Sequence, residues 1–276
     1  MSGTVALADL RARIRALELG ETSVAAPVAT LGAAAIDDVL PGGGLARGAL
    51  HEIEVAPGAG REAALGAASG FAAVLLACFA TDCGPATDCG PATDRGPGAD
   101  RGSGAAGRGP VLWCQRRIDL YAPGLAAFGL DPARLIVVRA PAPRQALWVL
   151  EEALRGHRLA AVLGEVDGID LAASRRLQLA ARAGTPCLLL RRGPAPGISA
   201  AVTRWRVGPA PGDAAQSGHG PPHNLGASRW RVELVRCRGG AARAWAGEWG
   251  HETHRFTMAA PLADRAEAPA RFRQAV

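Results

Sequence analysis

The chain has 276 residues, a formal net charge of +6 and 49% hydrophobic side chains, enough for one substantial core. It contains no lysine, so all 31 basic side chains are arginine. That absence excludes Schiff-base chemistry, a lysine general base and the lysine of a standard phosphate loop. From Arg191 onward thirteen arginines face six acids, whereas the rest of the chain is close to neutral. The basic excess therefore sits in the C-terminal third, which suits nucleic acid or an acidic partner. Cys78, Cys83, Cys89, Cys114, Cys187 and Cys237 form no CxxC pair, so no zinc or redox motif is indicated and no metal site is expected. Nothing reads as a signal peptide, and no apolar stretch reads as long as the ~18 residues of a membrane span. A reducing cytoplasm is the expected compartment.

In chain order, residues 5–19 place Leu7, Leu10, Ile14 and Leu17 at helical spacing, and 21–29 read as a linker. Residues 36–50 read as a short helix, a glycine turn and a strand entry. A strand is expected at 49–55, a loop at 56–62 and an apolar, small-residue helix at 63–79. Four hexamers of the ATDCGP type follow, the last decayed; Asp, Gly and Pro at that density cannot form a core. Residues 80–109 are therefore expected to be a disordered insertion, in which Cys83 and Cys89 have no role. Strands are then expected at 111–115, 134–139, 159–166 and 187–191, alternating with helices at 122–129, 144–155 and 172–183. That alternation predicts an α/β fold with a mainly parallel sheet covered by helices. The period changes at 201–207 and 229–238, which share the tetrapeptide RWRV and alternate as strands; 243–249 continues the pattern. These are expected as antiparallel strands at the sheet edge, with a loose tail after them. The expected organisation is 1–29 as helix and linker, 30–257 as the main domain, and 258–276 as tail.

Two groups of residues carry the functional reading. Alternation puts Arg204 with Arg206, Arg229 with Arg231, and Arg236 with Arg238 on common strand faces, with Trp205 and Trp230 turned inward. Guanidinium groups so arrayed suit phosphates or acidic protein surfaces; without a partner they would serve only to keep an edge strand from pairing. His51 and His157 read as structural, and no nucleophile elbow is present.

The second group is the segment 41–62, PGGGLARGALHEIEVAPGAGRE, which resembles the opening of RecA-type ATPase cores. There a strand runs into a phosphate loop of the form G-x-x-x-x-G-K-[ST]. Aligned on the strand, Gly58 lies in the loop, Val55 replaces the first motif glycine and Gly60 keeps the second. Arg61 falls where lysine belongs and Glu62 where the magnesium-binding hydroxyl belongs. The RecA resemblance also implies a water-positioning acid after the second strand, where Arg116 and Arg117 stand. It implies an aspartate in the fourth strand, where Gly164 stands before Glu165. Glu165 or Asp167 could hold a magnesium ion, or be plain strand-end acids. With these positions altered together, no cofactor and no catalysis are expected.

Further along, LWCQRRIDLYAPGL, LGEVDGIDLAASRRLQLAA, AVTRWRV and RWRVELVRCRGG resemble the ImuA family, over roughly 30–79 and 110–257. That resemblance implies a RecA-like accessory protein of damage-induced mutagenic translesion synthesis. Its implied partners are an inactive Y-family-like polymerase homologue, a mutagenic C-family polymerase complex and RecA, with single-stranded DNA as a further candidate and no membrane. Two alternatives stay open at this point. One is a division inhibitor of the SulA type; the other is a RecA-like protein that retains ATP or DNA binding.

Overall fold

The computed structural model describes residues 27–58, 60–81, 109–193, 197–210 and 228–258. The expected N-terminal helix, nearly all of the hexamer repeat and the tail from 259 lie outside the described residues. Val28–Ala29 (β1) pairs with Leu45–Ala46 (β2) in a small antiparallel ladder ahead of the main sheet. The main sheet comprises β3 (Leu50–Val55), β4 (Val111–Gln115), β5 (Leu135–Arg139), β6 (Ala161–Val166), β7 (Cys187–Arg191), β8 (Thr203–Pro209), β9 (Ser228–Cys237), β10 (Arg243–Gly250) and β11 (Arg255–Met258). Their order across the sheet is β11-β10-β9-β8-β3-β7-β6-β4-β5. The helices are α1 (Ala34–Asp37), α2 (Arg61–Ala80), α3 (Pro143–Arg155) and α4 (Leu171–Ala181).

The two RWRV segments behave differently. The first, β8, runs parallel to β3 inside the sheet. The second, β9, begins the antiparallel edge, and β11 extends it by one more strand than the alternation predicts. The helix expected at 122–129 is a 3-10 segment, Ala122–Phe128, because Pro123 and Gly124 disfavour an α-helix there.

Each face of the sheet carries its own core. On one face α2 packs across β3 and β8, and Phe71, Leu75, Trp113, Trp205 and Trp230 are buried together. On the other, α3 and α4 cover β4, β6, β7 and β3, enclosing Leu50, Cys114, Leu150, Val162, Leu177 and Leu189. At roughly 1.5–3 kcal/mol per large apolar side chain, these two layers dominate folding. Parallel strands buried on both faces read as unbroken apolar runs, which is why β6 and β7 were legible.

α2 is apolar around almost its whole circumference, and thirteen of its twenty residues are buried. By length and composition it could cross a membrane, contrary to the expectation that no such stretch exists. Its burial between the sheet and the 3-10 segment accounts for that composition. Its C-terminal carbonyls are capped from a distance. Arg47 donates to Phe79 O at 2.8 Å and Thr81 O at 3.1 Å. Arg134 donates to Ala80 O at 2.9 Å and to Gly109 O at 2.6 Å, tying together the two ends of the repeat insertion.

The thiols expected in the core are there: Cys114 and Cys187 are buried, and desolvation pushes them to about 11 and about 12. His51 is wholly buried between Thr203 Oγ1 and Ala46 O, both at 2.8 Å. Desolvation lowers its pKa to about 4, so it is a neutral structural group.

Candidate functional site

The loop after β3 remains part of the sheet before it turns. Ala56 N donates to Val207 O at 2.8 Å, continuing the β3–β8 ladder past Val55. Gly58 then takes φ +89°, a conformation that favours glycine, and Gly60 caps α2 without a side-chain acceptor. Arg61 and Glu62 are the first two residues of α2. The four loop residues singled out in the sequence thus lie close together in the chain between the C-terminal end of β3 and the first turn of α2.

The strand-end acids are clamped by arginine. Glu165 accepts from Trp113 Nε1 and from Arg192 Nη1, each at 3.0 Å. Burial raises its pKa, with the Trp113 and Arg192 contacts acting against that rise. Asp167 is held by Arg116 at 2.7 Å on the surface. A magnesium ion would have to displace these guanidinium groups. Among the described residues there is also no cluster of three or more His, Cys, Asp or Glu that could hold a metal. Arg117 is exposed. Gly164 has a steric reason to lack a side chain: a Cβ there would lie 2.5 Å from Leu150 Cδ1 of α3. A side chain at that position would require Leu150 of α3 to shift.

The arginines of β8 and β9 are not a free basic array. β3 reads H-E-I-E-V and β8 reads R-W-R-V, and parallel pairing in register sets Glu52 beside Arg204 and Glu54 beside Arg206. Arg191 Nη1 lies 3.4 Å from Glu52 Oε2, and Arg204 Nε lies 2.9 Å from the same oxygen and 3.2 Å from Glu54 Oε1. Arg206 reaches Glu54 at 3.6 Å and Glu233 at 3.3 Å, and Arg231 reaches Glu233 at 2.9 Å. Four arginines and three glutamates thus zigzag across β7, β3, β8 and β9. Arg229 pairs with Glu248 of β10 at 2.9 Å. A register shift between Arg204 and Trp205 leaves Val235 unpaired and sets Arg236 opposite Arg204. Arg236 donates to Ser199 O at 2.8 Å. Arg238 follows β9, its N–H bonded to Val202 O. Trp205 and Trp230 do turn into the core, and meet Phe71 in tilted and edge-on contacts respectively.

The structure joins two groups that the sequence kept apart. Arg61 from the loop and Arg204 and Arg206 from β8 line one cavity of about 440 Å³, together with Glu54, Gly58 and Arg192. Glu52, Glu54, Arg191 and Arg192 were not singled out in the sequence. The signal available for the two glutamates was their period-2 match to the arginines of the RWRV strand.

The fold and this region define an α/β protein whose mostly parallel sheet ends in arginine-clamped acids and an altered glycine loop. No family model matches the chain. It is 40% identical over 272 residues to Protein ImuA of Caulobacter vibrioides, in each of two strains, spanning 91% of this chain and 98% of that protein. The chain belongs to the ImuA family.

Proposed function

We propose that the protein is a non-catalytic accessory factor of damage-induced mutagenic translesion DNA synthesis, acting in the cytoplasm. The observation that carries the absence of catalysis is the joint state of the loop and the strand-end acids. Arg61 and Glu62 occupy the positions where a nucleotide-hydrolysing loop needs an ammonium and a hydroxyl. Glu165 and Asp167 are neutralised by Arg192 and Arg116. An arginine fork cannot replace a compact ammonium in a backbone cradle, and a clamped acid cannot hold a metal or orient water.

The partners in this reading are the inactive Y-family-like polymerase homologue, the C-family polymerase complex and RecA, with single-stranded DNA as a further candidate. Family membership supports it, as does the basic outer face of the edge strands. Within that face Arg204 is nearly buried and serves the ion-pair zigzag, so contact falls to more exposed groups such as Arg231 and Arg236. Two measurements test the reading. Purified protein should show no ATP turnover with or without single-stranded DNA; turnover abolished by Gly60→Asp or Glu165→Ala would sink it. A pull-down from damage-treated cells should recover polymerase-cassette proteins and RecA, and charge reversal of Arg231, Arg236 and Arg238 should weaken that recovery. Recovery of the tubulin-like division protein instead would overturn the assignment.

A further inference from the structure

The outer face of α3 and α4 leaves two large apolar side chains open to solvent. Trp148 of α3 is 64% exposed and Leu179 of α4 is 60% exposed. Each helix returns the chain from one parallel strand to the next, so the two run in the same direction. Arg176 Nε of α4 donates to Glu151 Oε1 of α3 at 3.0 Å, which fixes their alignment. Trp148 lies one turn before Glu151 and Leu179 one turn after Arg176, and residues three apart share a side of a helix. The two apolar groups therefore flank this ion pair along the groove between the helices. Their axial separation is about 9 Å, at roughly 1.5 Å per residue. Ala172, on the same side of α4 and also exposed, leaves room for a third helix.

The described chain begins beside this groove. Pro27 O accepts from Arg47 N at 2.9 Å. Gly48, the next residue, sits so close to the end of α4 that a Cβ there would lie 3.3 Å from Arg182 O. Residues 1–26 therefore join the domain at the C-terminal end of α4, the end that carries Leu179. Among them Leu7, Leu10, Ile14 and Leu17 have helical spacing. On a helix, Leu10 and Leu17 would be about 10.5 Å apart along the axis, close to the separation of Trp148 and Leu179. Residues 20–26 reach at most about 25 Å, more than the roughly 16 Å length of α4, so the tether imposes no strain. A segment held on so short a tether has an effective concentration on the order of millimolar, which favours it over a second copy.

We propose that residues 5–19 dock as a helix on the α3–α4 groove of their own chain. Leu10 meets Trp148, Leu17 meets Leu179, and Ile14 lies over the Glu151–Arg176 pair between them. The arm runs parallel to α4, so that its C-terminal end lies near the point where the chain enters at Pro27. Docked there, it withdraws the apolar groove from other molecules. The N-terminal segment is thereby a cover for its own domain and not a free partner-binding arm.

The test uses the full chain with the photo-cross-linking residue benzoylphenylalanine in place of Leu17. Unlabelled and nitrogen-15-labelled protein are mixed in equal amounts before irradiation. Position 17 should cross-link to the tryptic peptide that carries Leu179, always within one isotopic form. Leu179→Asp should abolish that cross-link, and it disturbs no core because the side chain is exposed. Tryptophan quenching gives a second reading. Trp113, Trp205, Trp230 and Trp249 are buried and Trp245 is half-buried, which leaves Trp148 as the exposed one of six. Ile14→Asp should therefore raise quenching by acrylamide, and the rise should disappear when Trp148→Phe is added. Cross-links between isotopic forms would put a second copy in the groove and overturn the proposal. So would cross-links only to other elements, no cross-link at all, or quenching indifferent to Ile14→Asp.

Discussion

The two halves of the sheet solve the problem of burial in opposite ways. In the half formed by β7, β6 and β4, helices cover both faces, and the strands are apolar nearly throughout. In the half formed by β8, β9 and β10, only one face is covered by described helices and 3-10 turns. There tryptophans fill the covered face, and arginines and glutamates alternate with them on the other. β3 lies at the boundary and carries both patterns, with Leu50 under α4 and Glu52 and Glu54 in the ion-pair zigzag. The difference teaches that within the sheet the buried charges of β3 and β7 are offset by opposite charges on neighbouring strands, whereas buried Asp37 and Arg47 outside it are held by backbone groups.

The largest expected effect is in the helix-covered half. Gly164→Asp would drive a carboxylate into Leu150 with no partner, and should cost about 5 kcal/mol or more, read as insoluble protein or a collapsed melting transition. A soluble variant of normal melting temperature would show that α3 packs more loosely than described.

At the boundary, Glu52→Ala should cost about 3–5 kcal/mol in denaturant unfolding, since it leaves Arg191 fully buried without its counter-charge. A cost near that of a surface mutation would mean that Arg191 finds solvent.

The next effect depends on pH. His51 has a folded pKa of about 4 against an ordinary 6.5, so the unfolded chain takes up the proton first. Stability associated with this group is complete above pH 6.5, falls as pH drops from 6.5 towards 4, and then levels off. The loss is on the order of 3 kcal/mol. Melting curves across that window should be steeper in pH for the parent chain than for His51→Gln, and parallel curves would contradict it.

The smallest effect belongs to the open face. Arg231 is 66% exposed and its pair with Glu233 is screened, so Arg231→Ala should change stability by less than about 0.5 kcal/mol. A larger loss would mean that the zigzag acts as a cooperative unit out to its exposed end.

Much of this molecule was determined by the sequence alone. Alternation marked β8, β9 and β10, unbroken apolar runs marked β6 and β7, and the helices were legible from a 3.6-residue apolar stripe in α3 and from an apolar, small-residue run in α2. The absence of lysine and the residues at 61 and 62 were equally plain. The inward turn of Trp205 and Trp230 followed from alternation alone. Tertiary structure decided the rest. Whether β8 would run parallel or antiparallel depended on which neighbour it found, and its own alternation is the same in either case. The expected basic surface became mostly an internal ion-pair system, because the acids that neutralise it lie up to 152 residues away in β3. The meeting of Arg61 with Arg204 and Arg206 likewise needed β3 and β8 to be neighbours. Local periodicity reports burial; charge partnership across strands depends on which strands the fold sets side by side.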